Sequence, residues 1–530
     1  MTPSAPAAPQ DDSSRPLRAR QRTAACYVPE PAPLSPPGGT DWASVIAAVP
    51  AAVTEAAGWT AARRIREAER CADLIASAGD VLRAAPAAAG RAEVTPSQVT
   101  SAVVTGLAIL ACRRGGVGFM GAHWHAGRSP CLACPGPGTL PLFGLPPAPA
   151  APGVVFTPRP LADDVAVNAL AAVTGQLPAA DIRALRVCDP FCGTGAFLLA
   201  AARYLGATLA AAWISDGDEA EPANLCTLYG TTDPVMAARG MVIAHCISGA
   251  DLDPVSVELA GLALQLLAPE CGTDHVLDVD DGEYEWYVGA PLPGYQAGQH
   301  ARLLRPPGPP SARLPGLRAG DSLAGRPAGD GSAGLNAAAV HWPEAFPEVF
   351  ASGGFDAVIG NPPFLGGLKI PGALGRHYRE YLVTAVAGGR RTTADLAVYC
   401  WLRMHQLTRP HGVVGIVGPD ALIREAGDNA KFADDLRDKH GWQVYRKVTN
   451  LKWPARSAAV RICTVWTCQR FGADPPELIR NVFETPPPAT IWQHVRTVDA
   501  DGTPLRVYER RPPARPRSRP RRAAARRERG

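Results

Sequence analysis

Lysine is nearly missing from this 530-residue chain: Lys369, Lys431, Lys439, Lys447 and Lys452 are the only five. With none before Lys369, everything upstream excludes a Gly-x-x-x-x-Gly-Lys phosphate loop and an acid–acid–lysine nuclease centre. No secretory leader is expected either. The first twenty residues are rich in Pro, Ser and Arg and hold no apolar block. No apolar run reads as long enough for a membrane span. Thirteen cysteines scattered without a leader fit reduced thiols, which predicts a cytoplasmic protein with no membrane partner.

The net charge of +4 misleads. Residues 510 to 530 carry ten Arg and one Glu, a local +9, so the rest of the chain stands near −5. The basic face expected of a nucleic-acid protein is therefore not visible in the whole-chain balance.

Composition and periodicity divide the chain. Residues 1–40 are Pro/Ser-rich and read as a disordered segment. Residues 41–150 read as a helical N-terminal region: Asp41 to Ala85 is apolar at helical spacing, Pro96 to Cys112 is a second candidate, and Gly118 to Pro152 reads as a Gly/Pro-rich loop. Residues 151–470 show short apolar runs alternating with helical stretches, the pattern of an α/β fold with a mostly parallel sheet. Strands are predicted at Leu185–Cys188, within Val242–Ala250, and at Phe355–Ile359 and Val413–Val417. Gln443–Val448 and Ala459–Thr467 read as antiparallel strands closing the sheet, and residues 271–316 as a Pro-rich insertion. Residues 471–530 read as a short C-terminal segment with an Arg/Pro-rich tail, open either to phosphate binding or to a truncated, out-of-frame end.

Three segments carry chemistry. Asp189-Pro-Phe-Cys-Gly-Thr-Gly-Ala-Phe197 lies between a strand and a helix, where Gly193 and Gly195 permit a tight turn at the helix's positive end. A plain structural glycine turn is the blander alternative. Some sixty residues on, Asp251-Leu-Asp-Pro254 ends the next strand, where such folds hold ribose hydroxyls. Either acid can cap the following helix; Asp251 is assigned to the ribose and Asp253 to the cap. Phe355 to Phe364 ends a buried strand with the rigid polar turn Asn361-Pro362-Pro363-Phe364.

Together these segments resemble the gamma class of N6-adenine DNA methyltransferases, as found in the methylases of type IIG restriction–modification and related phage-defence systems. Phe156-Thr157-Pro158 resembles the motif beside the methionine part of S-adenosyl-L-methionine, and Asp189, Phe191, Gly193, Gly195 and Phe197 the glycine loop. Asp251 resembles the ribose contact, Asp321 in Gly320-Asp-Ser-Leu323 the contact to the cofactor's adenine, and Asn361, Pro362, Pro363 and Phe364 the catalytic motif. The resemblance implies a class I methyltransferase fold, Rossmann-like with an antiparallel last strand. It implies methylation of an adenine flipped out of duplex DNA, with a separate specificity or nuclease subunit as a further partner. An RNA or protein-glutamine methyltransferase on the same core, or a non-catalytic cofactor-binding remnant, are the alternatives.

Two weaker groupings remain. Lys369, Arg376, His377, Tyr378, Arg379 and Tyr381 mix basic and aromatic side chains after the Asn361 turn, a pattern suited to phosphate contact and stacking, with a solvated loop as the equal alternative. His123, His125, Cys131 and Cys134 have spacing that suits zinc, although no metal is assigned.

Overall fold

The computed structural model describes residues 40, 42–82, 94–114, 116–119, 122–125, 157–175, 177–229, 231–269, 316–324, 339–423, 428–453, 461–469, 491–498 and 504–511. The N-terminal region begins with helices α1 (Trp42–Ala57), α2 (Ala61–Ala78) and α3 (Pro96–Arg114). Where a loop was expected after Gly118, the chain forms a hairpin of β1 (Gly116–Phe119) and β2 (Ala122–His125). The signal was hidden because four-residue strands are too short to show alternation.

The α/β part follows in order. It holds α4 (Arg159–Thr174), β3 (Val187–Asp189), α5 (Ala196–Asp216), α6 (Ala220–Leu228), α7 (Pro234–His245), β4 (Ile247–Asp251), α8 (Pro254–Leu267), β5 (Leu317–Ala319) and β6 (Phe355–Gly360). Then come α9 (Arg376–Tyr381), α10 (Leu396–Leu407), β7 (Thr408–Pro419), α11 (Asp428–His440), β8 (Trp442–Lys452), β9 (Arg461–Gln469), β10 (Ile491–Val498) and β11 (Pro504–Arg511). The second strand starts later than its apolar run suggested, because Val242 to His245 is the end of α7.

The nine-stranded sheet runs β10-β11-β8-β9-β7-β6-β3-β4-β5. From β5 inward, β5, β4, β3, β6 and β7 are all parallel, and β9 then enters antiparallel between β7 and β8. Numbered in chain order from β3, the seven strands from β5 to β8 read 3-2-1-4-5-7-6 with one reversed strand, the class I methyltransferase arrangement. Of the two strands expected to close the sheet antiparallel, only β9 runs against β7; β8, antiparallel to β9, runs with it. The fading pattern after residue 470 also needs correcting, since β10 and β11 form a hairpin that extends the sheet as far as Arg511.

Period-two alternation splits the core into two layers. Val187, Ala357, Ile359, Val413 and Trp466 face one cluster with helices α2, α4, α5 and α8. Cys188, Val358, Val414, Ile416 and Val465 face the other with α10 and α11. The N-terminal helices share the first layer, so they brace the methyltransferase part directly. Helix α5 is the one helix among the described residues long and apolar enough to cross a membrane, contrary to the reading of the apolar runs. It is mostly buried here, and its apolarity is that of a core helix.

Candidate active site

The strand order reverses between β3 and β6, and a crevice outside the carboxyl ends of the strands forms where such a reversal occurs. Asp189 ends β3, Asp251 ends β4, Asp321 follows β5 and Asn361 follows β6. Four segments far apart in sequence thus deliver polar side chains to one edge.

The glycine loop is locked from both sides. Asp251 Oδ2 accepts from the Gly193 N–H at 2.9 Å, and Oδ1 accepts from the Asp253 N–H at 2.9 Å. Asp253 caps α8, accepting from Val255 N, Ser256 N and Ser256 Oγ. The split role read from sequence holds for the cap. Gly195 has φ +98°, and a Cβ there would sit 3.1 Å from Ala260 Cβ and 3.2 Å from its Cα. The loop therefore approaches α8 as only glycine can. Thr194 points inward and donates to the Ala76 carbonyl on α2 at 2.9 Å. That brace from the N-terminal region was not legible in the sequence, since nothing in Gly-Thr-Gly names a partner 118 residues away.

Asp189 is fully buried. Its Oδ1 accepts from the Phe191 N–H at 3.0 Å, while Oδ2 has no hydrogen-bond partner among the described residues. Burial pushes its pKa well above the usual carboxylate range, the Phe191 N–H opposes this, and the Asp251 charge adds to it. A Cβ on Gly360 would lie 2.6 Å from Asp189 Oδ1, so β6 passes the acid only because residue 360 has no side chain. This requirement was missed at the sequence level. Phe197 is buried in the core under the loop, and Phe191 is half-buried against the opposite layer.

The turn after β6 is built differently. Asn361 is half-buried, and its Nδ2 donates to Thr157 Oγ1 at 3.0 Å. The donor end of the amide points at Thr157, so its oxygen points the other way. Thr157 was expected beside the methionine part of the cofactor; the structure places its hydroxyl against the catalytic turn. Pro158 stands at the N-cap of α4, and Phe156 lies outside the described residues. Pro362 is buried, whereas Pro363 and Phe364 are half-buried, with Phe364 packed at the margin of the first layer. Beyond the turn, Leu365 N–H donates to Asp395 Oδ1 at 3.2 Å and Leu365 O accepts from Leu396 N–H at 2.8 Å.

Asp321 is buried and its Oδ1 accepts from Leu323 N, Ala324 N and Tyr378 Oη. The basic–aromatic segment therefore divides. Lys369, Arg376 and His377 are exposed. Tyr378, Arg379 and Tyr381 turn inward, with Arg379 bonded to the Thr392 carbonyl and stacked over Tyr399. These three are engaged in internal contacts, Tyr378 with Asp321, Tyr381 with the Ala324 carbonyl and Arg379 with the Thr392 carbonyl, which matches neither an exposed phosphate-contacting run nor a fully solvated loop. No group of metal-ligating side chains occurs among the described residues. Cys131 and Cys134, and the side chains of His123 and His125, lie outside them.

The acids and glycines present fit S-adenosyl-L-methionine: a carboxylate at the second strand end, a glycine cradle at a helix start, and a buried acid whose Oδ2 is unpartnered among the described residues. No curated protein matches the chain. Among solved structures, similarity extends to a modification subunit of a putative type I restriction enzyme from Vibrio vulnificus YJ016. The identity is 14%, covering 60% of this chain and 45% of that one, with a TM-score of 0.32. A type I restriction–modification methyltransferase subunit from Streptococcus thermophilus shows 14% identity, 62% and 47% coverage, and a TM-score of 0.33. A putative class I S-adenosylmethionine-dependent methyltransferase from Listeria monocytogenes shows 14% identity, 61% and 63% coverage, and a TM-score of 0.31. The aligned part spans less than half the length of the two type I subunits. The family model described as Eco57I restriction-modification methylase matches residues 245–445, a span that begins before β4 and ends in β8. Over that segment, which holds Asp251, Asp321 and the Asn361 turn, the chain is similar to the Eco57I restriction-modification methylases, and the resemblance read from its motifs holds.

Proposed function

We propose that the chain transfers a methyl group from S-adenosyl-L-methionine to the exocyclic N6 amine of adenine in DNA, within a restriction–modification or phage-defence system. The observation that carries this is the orientation of Asn361. Its amide is fixed by Thr157 at the carboxyl end of β6, directly beside the acid-and-glycine edge formed by β3 and β4.

When bound, the cofactor supplies an electrophilic methyl group. The chain's part is to hold and prepare the amine. An adenine amine is a poor nucleophile because its lone pair is delocalised into the ring. Its two N–H groups need two acceptors, and the Asn361 amide oxygen and the Pro362 carbonyl provide them. Accepting both pulls the nitrogen toward tetrahedral geometry and exposes its lone pair. Pro362 and Pro363 restrict the backbone so that the two acceptors converge. Phe364 offers a face for the base to stack on once it has left the duplex. Asp251 is assigned to the ribose hydroxyls, Asp321 to the cofactor's adenine, and Asp189 with the Gly193–Gly195 turn to the methionine end. Exposed Lys369, Arg376 and His377 are assigned to the phosphates of duplex DNA. Helices α1 to α3 of the 41–150 region act as a brace and the segment from 151 to 470 as the methyltransferase domain. A separate specificity or nuclease subunit is a further partner. The cytoplasm is the proposed compartment, in keeping with nine described cysteines of which none is in a disulfide.

The test is labelled methyl transfer to duplex DNA, RNA and protein in parallel, with the product digested to nucleosides or amino acids. Label recovered as N6-methyldeoxyadenosine is expected. Label in RNA or glutamine, with none in DNA, overturns the reading.

A further inference from the structure

The turn from Asp321 to Ala324 does not stand by itself. Its four residues are all buried, and later parts of the chain satisfy its polar groups. Tyr378 Oη donates to Asp321 Oδ1 at 3.1 Å, Tyr381 Oη donates to the Ala324 carbonyl at 3.1 Å, and Arg403 Nη2 donates to the Leu323 carbonyl at 2.8 Å. Of these three, only Tyr378 reaches the carboxylate. Burial, then the neighbouring Asp321 charge, pushes the Tyr378 phenol well above its ordinary pKa, so at neutral pH it can serve Asp321 only as a donor. With Leu323 N and Ala324 N, three donors converge on Oδ1, and none of them uses Oδ2.

Tyr378 also ends the exposed arc that follows the catalytic turn. Gly366, Leu368, Lys369, Arg376 and His377 on this arc are exposed, and Leu368 is 83% exposed. The arc is pinned at both ends, and between them Ile370 is fully buried in the second layer. At Leu365 the pin is Asp395 together with the Leu396 amide. At Tyr378 the pin is a carboxylate of the cofactor edge itself.

We propose that Tyr378 is a positioning residue that couples cofactor occupancy to the order of the 366–378 arc, and so to the surface offered to DNA. This rests on the reading of Asp321 as a cofactor contact. An amine held by Oδ2 fixes the carboxylate, the fixed carboxylate strengthens its bond to Tyr378, and the bond holds the end of the arc. By linkage the coupling runs both ways, so an ordered arc also raises affinity for cofactor.

Hydrogen–deuterium exchange on the full chain, with and without saturating S-adenosylmethionine, tests this beside calorimetric affinity. In the parent chain, cofactor is expected to slow exchange over 366–378 by about fivefold or more. Tyr378→Phe removes one hydroxyl and keeps the ring. It is expected to bind cofactor roughly tenfold more weakly, the loss of one bond to a charged group, and to show no cofactor-dependent slowing of the arc even at saturation. Tyr381→Phe loses a bond to the same turn but none to the carboxylate, and is expected to keep the response. Equal slowing in Tyr378→Phe and the parent overturns the coupling, as does equal loss in both variants or a parent arc that ignores bound cofactor. A parent chain that binds no S-adenosylmethionine overturns the functional reading as well, which separates the two failures.

Discussion

The acid-and-glycine edge proposed for the cofactor and the Asn361 turn proposed for catalysis adjoin each other and are held together by opposite means. The edge is built from carboxylates that also work for the fold. Asp189, Asp251, Asp253 and Asp321 each accept from a main-chain N–H two residues on, and Asp251 additionally holds Gly193 across the crevice. The turn carries no charge. Its shape comes from two prolines, a Thr157 hydroxyl on the Asn361 amide, and the Asp395 and Leu396 anchors beyond it. On the edge, then, a side chain cannot be removed without loosening the loop it caps. On the turn, chemistry and folding are separable, and mutation can reach one without the other.

The largest effect that sharpens this contrast is expected at Asn361. Asn361→Ala should lower single-turnover adenine methylation by two orders of magnitude or more, the cost of a lost positioned acceptor at about 3 kcal/mol, with a melting temperature lowered by no more than the one hydrogen bond to Thr157, about 1 kcal/mol. Asn361→Asp keeps an acceptor and should retain part of the rate. Methylation by Asn361→Ala at the parent rate would reduce the turn to a structural feature. Next comes Asp251→Ala, which removes the acceptor of two main-chain N–H groups. Bonds to a charged acceptor contribute about 1.5–3 kcal/mol each, so differential scanning calorimetry should show a melting temperature several degrees lower. An unaltered melting temperature would break the contrast from the edge side.

The pH dependence separates the layers next. His405 is buried between the Trp401 carbonyl and Thr467 Oγ1, and burial lowers its pKa to about 3. The unfolded chain takes up that proton near pH 6.5, so stability is whole above pH 6.5 and is lost below it by up to about 1.4 kcal/mol per pH unit. Asp189 has the opposite sign. Its raised pKa favours the fold at low pH, and that contribution fades as pH rises through the folded value. Thermal scans from pH 7 to 5 should show His405→Gln losing less stability with falling pH than the parent does; identical slopes would remove His405 from the account. Thr157→Val is expected to have the smallest effect. It costs one neutral hydrogen bond of about 1 kcal/mol, hence roughly a fivefold drop in methylation rate, with cofactor affinity kept. A drop in affinity instead would move Thr157 to the cofactor edge, where its motif first placed it.

Much of this was legible because it is local. Gly195, Asp253 and Asn361 are read from their neighbours in sequence: a turn before a helix, an acid at a helix start, a polar residue at a strand end. The apolar runs at Phe355–Ile359 and Val413–Val417 named their strands because both faces of a central parallel strand are buried. What escaped depends on contacts between distant segments. The Thr194–Ala76 brace, the fit of Gly360 against Asp189, and the inward turn of Tyr378, Arg379 and Tyr381 have no local signature. The hairpin of β10 and β11 escaped for another reason: its strands sit in polar, Arg-rich sequence where alternation is weak.

The division of labour is tested most directly by calorimetric titration of S-adenosylmethionine into Asn361→Ala and Asp251→Ala side by side, each first shown to be folded. Parent affinity in Asn361→Ala with affinity reduced tenfold or more in Asp251→Ala is the predicted result. Equal weakening in both, or parent affinity in Asp251→Ala, would contradict it.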